Sequence, residues 1–158
     1  MKLSSSAFQH NERIPAQYSC EGDNLSPPLS WEDTPPDTVS FVMIMDDPDA
    51  ESVIGKTFDH WVLYGIPAQI NHLPAGLPQE AVCELGGTQI LHGLTTRENY
   101  GYRGPCPPPG HGDHHYIFQL YALDFQPQLP HGLTKADVHA VIADHVLAKA
   151  ELVGIFSR

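Results

Sequence analysis

The chain has 158 residues, 41% of them hydrophobic, and nineteen acidic against eight basic residues give a formal net charge of −11 at pH 7. A chain of this length buries roughly 70% of its unfolded surface on folding, so we expect one domain over residues 1–158. The negative charge repels polyphosphate and excludes nucleic acid as an expected partner. Since no apolar run approaches the roughly 18 residues of a membrane span, the sequence predicts a cytoplasmic protein without stable membrane insertion.

The three cysteines, Cys20, Cys83 and Cys106, lie far apart in the sequence. An odd number of cysteines at wide spacing is typical of reduced thiols in a cytosolic protein and not of a disulfide framework. We therefore expect free thiols, with one bond from Cys20 to Cys83 or to Cys106 as the alternative that the count leaves open.

Fifteen proline and thirteen glycine residues separate short apolar runs, a pattern that is typical of many short strands joined by turns. Aromatic and β-branched residues are frequent in these runs, which favours strands over helices. The predicted strands are Phe41–Met45, Trp61–Ile66, a hairpin of residues 82–85 and 89–91 around Gly86 and Gly87, and Tyr116–Leu123. The chain is therefore predicted to be mostly β.

One main helix is predicted near the C-terminus, from Lys135 to about Lys149. Thr134 is the expected N-cap, and Asp137 stands where an acidic side chain completes the capping interaction. Apolar residues recur at helical spacing along one face, which is expected to pack on the sheet. A closing strand is predicted after the helix, at residues 152–156.

Acidic residues end the first predicted strand, where Asp47, Pro48 and Asp49 closely follow Met45. A rigid strand often presents functional polar groups at its end, but Asp and Pro are also common turn residues, and both interpretations stay open. His60 lies immediately before the second strand. Because a protonated imidazole donates hydrogen bonds from both nitrogens, His60 is a candidate anion ligand.

The segment from Tyr100 to Tyr116 is a Gly- and Pro-rich loop that leads into the strand at 116–123. Its glycines let a ligand approach backbone N–H groups closely, which allows anion binding without lysine. Strand alternation places His114 and Tyr116 on one face and His115 on the other. The histidines of the loop are therefore not expected to converge on a zinc ion.

The same loop holds Cys106, whose thiol is a candidate nucleophile with several histidines available as bases. The sequence locates neither the base nor an oxyanion donor, and a single cysteine is more often a packed residue. A metal- or thiol-dependent hydrolase is therefore the weaker alternative, and no catalytic residue is assigned.

Four sequence motifs occur in order along nearly the whole chain. They are Ser26-Pro-Pro-Leu-Ser-Trp31, Asp47-Pro-Asp-Ala50, His60-Trp-Val-Leu-Tyr-Gly-Ile-Pro67, and Gly101-Tyr-Arg-Gly-Pro-Cys-Pro-Pro-Pro109 followed by His114-His-Tyr116. Together they resemble the phosphatidylethanolamine-binding protein (PEBP) family, in its prokaryotic Raf kinase inhibitor-like branch. The resemblance implies a two-sheet, β-sandwich-like fold and a small cavity for phosphate, a carboxylate or a phosphoethanolamine headgroup, with no turnover and no cofactor or metal.

The resemblance also implies roles for individual residues. Carried over by motif, the ligand-binding residues are Asp47, His60, His114 and Tyr116, with Gly104, Cys106, Pro107 and Pro108 as the pocket wall. Pro48 and Asp49 are expected to support the loop. Relatives further imply a homodimer and a protein partner, a kinase or a protease, whose inhibition through the protein surface is the alternative function.

Two departures from the family pattern remove positive charge near the expected cavity. Glu51-Ser-Val-Ile-Gly55 stands where Pro and a basic residue often follow, and His115 replaces the usual Arg before Tyr116. We therefore expect a histidine-dependent site for a small anion or zwitterion. Its affinity is expected to rise as the pH falls from about 8 to about 6, following protonation of His60 and His114.

Overall fold

The computed structural model describes all residues, 1–158, as strands, two α-helices, two 3-10 turns and connecting loops. The strands are β1 (Lys2–Ser4), β2 (Glu12–Arg13), β3 (Leu29–Glu32), β4 (Ser40–Asp47), β5 (Phe58–Pro67), β6 (His72–Leu73), β7 (Val82–Leu85), β8 (Thr88–His92), β9 (His114–Leu123) and β10 (Val146–Phe156). The helices are α1 (Glu51–Ile54) and α2 (Lys135–Ile142), and the 3-10 turns are Ala16–Tyr18 and Pro48–Ala50.

The strands form two sheets. The larger sheet has seven strands in the order β2-β10-β9-β4-β5-β8-β7, and the smaller has three in the order β1-β3-β6. Every pairing is antiparallel except the short parallel contact of β2 with β10. The prediction of a mostly β, two-sheet fold is confirmed.

The central strand β4 is buried on both faces, because successive side chains of a strand point in opposite directions. Met43 enters the main core, which also holds Trp31 of the smaller sheet. Val42 instead packs with Val138 of α2 in a second apolar cluster. Burial of each such side chain contributes roughly 1.5–3 kcal/mol. Burial on both faces explains why the sequence of β4 is a continuous apolar run and does not alternate.

The strands extend further than the apolar runs predicted. β4 continues through Asp47, and β5 begins two residues before His60. Polar residues at these positions were expected in loops, but ladder pairing holds them in the sheet, where Asp46 lies opposite Asp59 of β5 and Ile117 of β9. The predicted hairpin is confirmed as β7 and β8, joined at two glycines with positive φ, as a two-residue type I′ turn requires.

The C-terminal helix is shorter than predicted. Its start is confirmed, since the Thr134 hydroxyl accepts the N–H of Asp137 and the Asp137 carboxylate accepts the N–H of Thr134. However, α2 ends at Ile142, and much of its expected second half belongs to β10, which begins at Val146. β10 pairs with β9 along nearly its whole length, so sheet pairing overrides local helix propensity. Neither helix has the length and apolar character that crossing a membrane requires.

The expectation of three free thiols is wrong. Cys20 and Cys106 form a disulfide with their Cα atoms 5.4 Å apart, and Cys83 alone is free and buried. The two bonded residues are 86 positions apart and meet because the loop before β9 lies against the segment after the first 3-10 turn. There the N–H of Cys20 donates to the carbonyl oxygen of Pro105 at 3.0 Å. The disulfide also removes Cys106 as a candidate thiol nucleophile.

Candidate functional site

Three neighbouring strands bring four of the predicted polar residues together. β4 supplies Asp47, β5 supplies His60, and β9 supplies both His114 and Tyr116. All four side chains are buried and line one cavity. His115 lies between two of them in the chain but is exposed on the other face of β9, as strand alternation predicted.

The cavity has a volume of about 330 Å³, at the lower end of the range for small-molecule sites. One side is apolar and is formed by Ala50, Val53 and Ile54 at the turn and helix after β4, together with Phe58. Val53 and Ile54 are each 44% exposed, so this side continues onto the protein surface. The cavity is therefore suited to a small molecule with both polar and carbon-rich parts.

Asp47 and His114 form a buried pair. His114 Nδ1 lies 2.7 Å from Asp47 Oδ2, and the two side chains are 2% and 4% exposed. Burial raises the pKa of Asp47 above its usual value, because loss of solvation outweighs the favourable contact with His114. Asp47 Oδ1 and the Tyr116 hydroxyl have no hydrogen-bond partner in the protein. Burial, and after it the nearby negative charge of Asp47, raise the pKa of Tyr116. Its neutral hydroxyl is therefore a donor close to the Asp47 carboxylate and available to a ligand.

His60 is held in its neutral form. Its Nδ1 lies 2.6 Å from the carbonyl oxygen of Arg103 and donates to it. Burial lowers the pKa of His60 to about 4, because an imidazolium is costly away from water. The neutral ring therefore carries its proton on Nδ1 and offers Nε2 as an acceptor. The expectation that His60 becomes protonated between pH 8 and 6 is wrong.

Positive charge at the cavity comes from three arginines, none of which was predicted as a ligand-binding residue. Arg97, Arg103 and Arg158 all line the cavity. None of them forms a salt bridge, whereas three of the five other basic residues do. Arg158 Nε donates to the carbonyl oxygen of Pro107 at 2.7 Å, which holds this side chain beside the pocket wall. Arg103 lies within the Gly101–Pro109 motif but was given no role, and Arg97 and Arg158 lie outside the four motifs. The expected shortage of positive charge near the cavity is therefore wrong.

Three of the four residues predicted as the pocket wall line this cavity. Cys106 and the two prolines that follow it line the cavity. Gly104 does not, because it is buried against the segment that carries Cys20: its N–H donates to Asn24 Oδ1 at 2.8 Å, and a Cβ at this position would collide with the Tyr18 carbonyl oxygen. Glycine is needed at position 104 for the close approach of two backbone segments and not for contact with a ligand.

Pro48 and Asp49 lie outside the cavity lining. Pro48 begins the 3-10 turn after β4, and Asp49 Oδ2 accepts hydrogen bonds from the backbone N–H and the Nδ1 of His115, at 2.7 and 2.8 Å. Burial alone would raise the pKa of Asp49, but these bonds hold it below its usual value. The contact ties the turn after β4 to the first residues of β9 and so fixes Asp47 beside His114.

The polar atoms of the cavity divide into donors and acceptors. The three guanidinium groups and the Tyr116 hydroxyl can donate, whereas Asp47 Oδ1 and His60 Nε2 can accept. No three His, Cys, Asp or Glu side chains are arranged to share a metal ion. A ligand that carries both negative charge and N–H or O–H donors can satisfy both sets.

Comparison with known proteins gives consistent matches along the chain. A family model described as phosphatidylethanolamine-binding protein matches residues 4–157. The UPF0098 protein of Aquifex aeolicus is 43% identical over 159 residues, which cover 100% of this chain and 89% of that protein. The solved structure of the PEBP homologue CT736 from Chlamydia trachomatis has a TM-score of 0.88 at 34% identity, covering 99% of this chain and 97% of that one. Escherichia coli YbcL, described as a new member of the mammalian PEBP family, has a TM-score of 0.89 at 27% identity and coverages of 99% and 98%.

Proposed function

We propose, for a chain that belongs to the phosphatidylethanolamine-binding protein family, that the cavity reversibly binds one small anionic or zwitterionic ligand without converting it. The ligand is a phosphate, a carboxylate or a phosphoethanolamine headgroup. One observation carries the proposal: three arginines without carboxylate partners share a cavity with the unpartnered Oδ1 of Asp47 and hydroxyl of Tyr116.

The arginines favour an anion. A guanidinium group presents a planar fork of donors that matches carboxylate and phosphate oxygens. The whole chain has a formal net charge of −11, so a cluster of three cations in one cavity is a local exception to the charge of the molecule. Such a concentration of positive charge raises the local concentration of anions.

The acceptors favour a zwitterion over a simple anion. Asp47 Oδ1 is buried without a partner, and leaving such a group unsatisfied costs about 1–3 kcal/mol. An ammonium group supplies three donors and a positive charge to the carboxylate, whereas phosphate offers it only P–OH donors on a group of net negative charge. We therefore expect phosphoethanolamine to bind more tightly than either phosphate or ethanolamine.

The cavity lining supports binding without covalent catalysis. Covalent catalysis needs an activated hydroxyl, thiol or amine beside a base. Among the fourteen lining residues there is no Ser, Thr or Lys, and the sulfur of Cys106 is bonded to Cys20. The hydroxyl of the lining belongs to Tyr116, and burial raises its pKa and so disfavours the phenolate. The Asp47–His114 pair therefore has no serine, threonine, lysine or free cysteine beside it to activate.

The test is titration calorimetry at pH 7 with phosphoethanolamine, phosphate and ethanolamine. Arg97→Gln and Arg103→Gln are each expected to weaken phosphoethanolamine binding at least fivefold, because each removes a guanidinium from the cavity. The matched control is Arg13→Gln, since Arg13 is exposed and bonded to Asp113 outside the cavity. The proposal is contradicted if the wild-type protein binds none of the three ligands at millimolar concentrations. It is also contradicted if Arg97→Gln and Arg103→Gln bind phosphoethanolamine as tightly as the control Arg13→Gln.

The partners and location expected from the sequence stay predictions. A protein partner, either a kinase or a protease, and a homodimer both remain predictions about contacts between chains. Size-exclusion chromatography with light scattering tests the homodimer. The cytoplasmic location loses one of its supports, because disulfides such as Cys20–Cys106 are typical of oxidising compartments. Alkylation of thiols in intact cells before lysis would distinguish the two environments.

A further inference from the structure

A chain of hydrogen bonds runs from the cavity to the protein surface through two imidazole rings. Asp47 Oδ2 contacts His114 Nδ1 at 2.7 Å, and His114 Nε2 in turn contacts His111 Nδ1 at 2.7 Å. His114 is only 2% exposed, whereas His111 is exposed. The buried carboxylate is therefore linked to solvent by a path separate from the cavity itself.

The local backbone explains why His111 reaches back to His114. Gly110 and Gly112 have φ values of 75° and 94°, a region that glycine adopts without strain. The N–H of His111 donates to the carbonyl oxygen of Pro108 at 3.2 Å, and the N–H of Gly110 donates to that of Arg158 at 2.9 Å. These bonds fold the loop into a turn that directs the His111 ring toward β9.

We propose that His111 is a positioning residue of the ligand site, which exchanges a proton between solvent and the Asp47–His114 pair when an anion enters the cavity. The inference rests on the proposed function for the identity of the ligand. The hydrogen-bonded chain itself does not depend on that function, and it can be tested without a ligand.

The proton balance of the chain is simple. In the starting state Asp47 is ionised, His114 donates from Nδ1 to Asp47 Oδ2, and His111 donates from Nδ1 to His114 Nε2. A proton from solvent binds His111 Nε2, the Nδ1 proton of His111 moves to His114 Nε2, and the Nδ1 proton of His114 moves to Asp47 Oδ2. One proton has entered and one carboxylate has been neutralised, while both imidazoles end neutral with their protons on Nε2.

Charged and titratable groups from several elements face this chain. They are Asp49 in the turn after β4, His60 on β5, Tyr116 on β9, and Arg158 beside Tyr116. Ser52 of α1 places its hydroxyl 3.5 Å from His111 Nε2. Burial and the negative charge of Asp49 both favour a neutral Asp47, whereas His114 favours its ionised form. The balance between these effects leaves Asp47 able to take up a proton when a ligand adds negative charge.

Entry of a simple anion supplies that negative charge. An anion beside ionised Asp47 is repelled, and protonation of Asp47 on Oδ2, where the proton is shared with His114 Nδ1, removes the repulsion. A zwitterion that places an ammonium group against Asp47 needs no such proton. Proton uptake therefore distinguishes the two ligand classes at one site.

The first experiment follows the ring nitrogens of His111 and His114 by NMR between pH 5 and 8, without ligand. In the wild-type protein the two rings are expected to titrate as a coupled pair with two steps. In His111→Ala, His114 is expected to titrate in one step, with its midpoint shifted by at least about half a pH unit. His145→Ala is the control, because His145 is also bonded to an aspartate, Asp124, but lies outside the chain. A His114 titration curve that is the same in wild type and His111→Ala overturns the inference.

A second variant separates proton exchange from a purely structural role. The side chain of His111→Gln can hydrogen-bond to His114 Nε2 but cannot take up a proton in this pH range. It is expected to restore the position of the His114 ring while the second titration step stays absent. If His111→Gln restores the second titration step as well, His111 does not exchange the proton.

The third measurement counts protons with ligand present. Calorimetry with acetate, which stays ionised above pH 6, is performed in two buffers of different ionisation enthalpy. The wild-type protein is expected to take up a measurable fraction of a proton per acetate bound, and His111→Ala less than half of that amount. If acetate does not bind, the proposed function fails for carboxylates, while the ligand-free titration still decides the role of His111. If acetate binds with equal proton uptake in both proteins, the inference fails and the proposed function stands.

Discussion

Two polar clusters lie back to back on opposite faces of β4 and β5, and they differ in how completely their atoms are bonded. On the face that carries α2, Asp46 Oδ2 accepts bonds from Lys135 Nζ and Gln119 Nε2, both at 3.0 Å, and Lys135 Nζ also lies 2.7 Å from Asp59 Oδ1. On the cavity face, Asp47 Oδ1 and the Tyr116 hydroxyl have no partner.

We interpret the bonded cluster on the α2 face as stabilising the fold and the incompletely bonded cluster on the cavity face as binding a ligand. The buried polar atoms of Asp46, Gln119, Lys135 and Asp59 are bonded to one another or to neighbours, and this network holds α2 on the sheet through Lys135. On the same face, His139 Nε2 of α2 is buried without a partner. Burial alone would lower the pKa of Lys135, but its bonds to Asp59 and Asp46 outweigh burial and raise the pKa. Buried polar atoms without hydrogen-bond partners destabilise a protein unless a ligand bonds to them. The adjacent residues Asp46 and Asp47 of β4 are therefore expected to have different roles, the first in stability and the second in ligand binding.

The largest expected effect is a loss of stability at low pH, and it arises from His60 on the cavity face. The pKa of His60 falls from 6.5 to about 4 on folding, so the unfolded chain takes up a proton more readily than the folded protein. The contribution of His60 to stability is therefore present above about pH 6.5 and is lost as the pH falls toward 4. The free energy of unfolding is expected to fall by about 3 kcal/mol over this pH range.

Urea unfolding at several pH values measures this effect. His60→Gln is expected to remove that part of the pH dependence, whereas His72→Gln, at an exposed residue bonded to Ser30, is expected to leave it unchanged. Identical pH profiles for wild type and His60→Gln would show that the cavity face does not hold His60 neutral.

A smaller loss of stability is expected on the α2 face. Lys135→Met leaves Asp46 and Asp59 facing each other without a cation, and we expect a loss of about 2 kcal/mol, less than for a fully buried pair because Lys135 is partly exposed. Lys149→Met is the control, since the Lys149–Glu151 pair is exposed and should contribute less than about 0.5 kcal/mol. Ligand affinity is expected to stay within twofold of wild type in both variants. A tenfold change in affinity in Lys135→Met would mean that the two faces are coupled.

Substitution of the adjacent carboxylates Asp47 and Asp46 compares the two faces directly through their effects on ligand affinity. Asp47→Asn is expected to weaken phosphoethanolamine binding about tenfold, or roughly 1.4 kcal/mol, because the ammonium loses its counter-charge, and to strengthen phosphate binding because repulsion disappears. Asp46→Asn makes the same chemical change one residue away on the opposite face. It should lower stability and leave both affinities unchanged. Equal effects of the two substitutions on ligand preference would remove the distinction between the faces.

The sequence predicted those parts of the molecule that depend on local pattern. The apolar runs located β4, β5 and β9, the paired glycines located the β7–β8 hairpin, and Thr134 with Asp137 located the start of α2. The end of α2 was missed because the pairing of β10 with β9 is a long-range interaction that local propensity does not contain.

The candidate site was predicted in the same uneven way. Motifs identified Asp47, His60, His114 and Tyr116, which the fold brings together around one cavity. They could not identify Arg97 or Arg158, which only the fold brings to the cavity. They also could not show that burial makes His60 neutral, since a pKa depends on solvation in three dimensions.

The Cys20–Cys106 bond makes one covalent ring of the chain between these two residues, and this ring contains β3 to β8. A single proteolytic cut inside the ring leaves one molecule whose two parts separate only under reducing conditions. Because β9 and β10 lie outside the ring, the cavity is assembled from a cyclic and a linear part of the chain, with Cys106 at their junction in its wall. A nicked but oxidised protein therefore keeps both parts of its binding site at a fixed effective concentration, as a bivalent linker does.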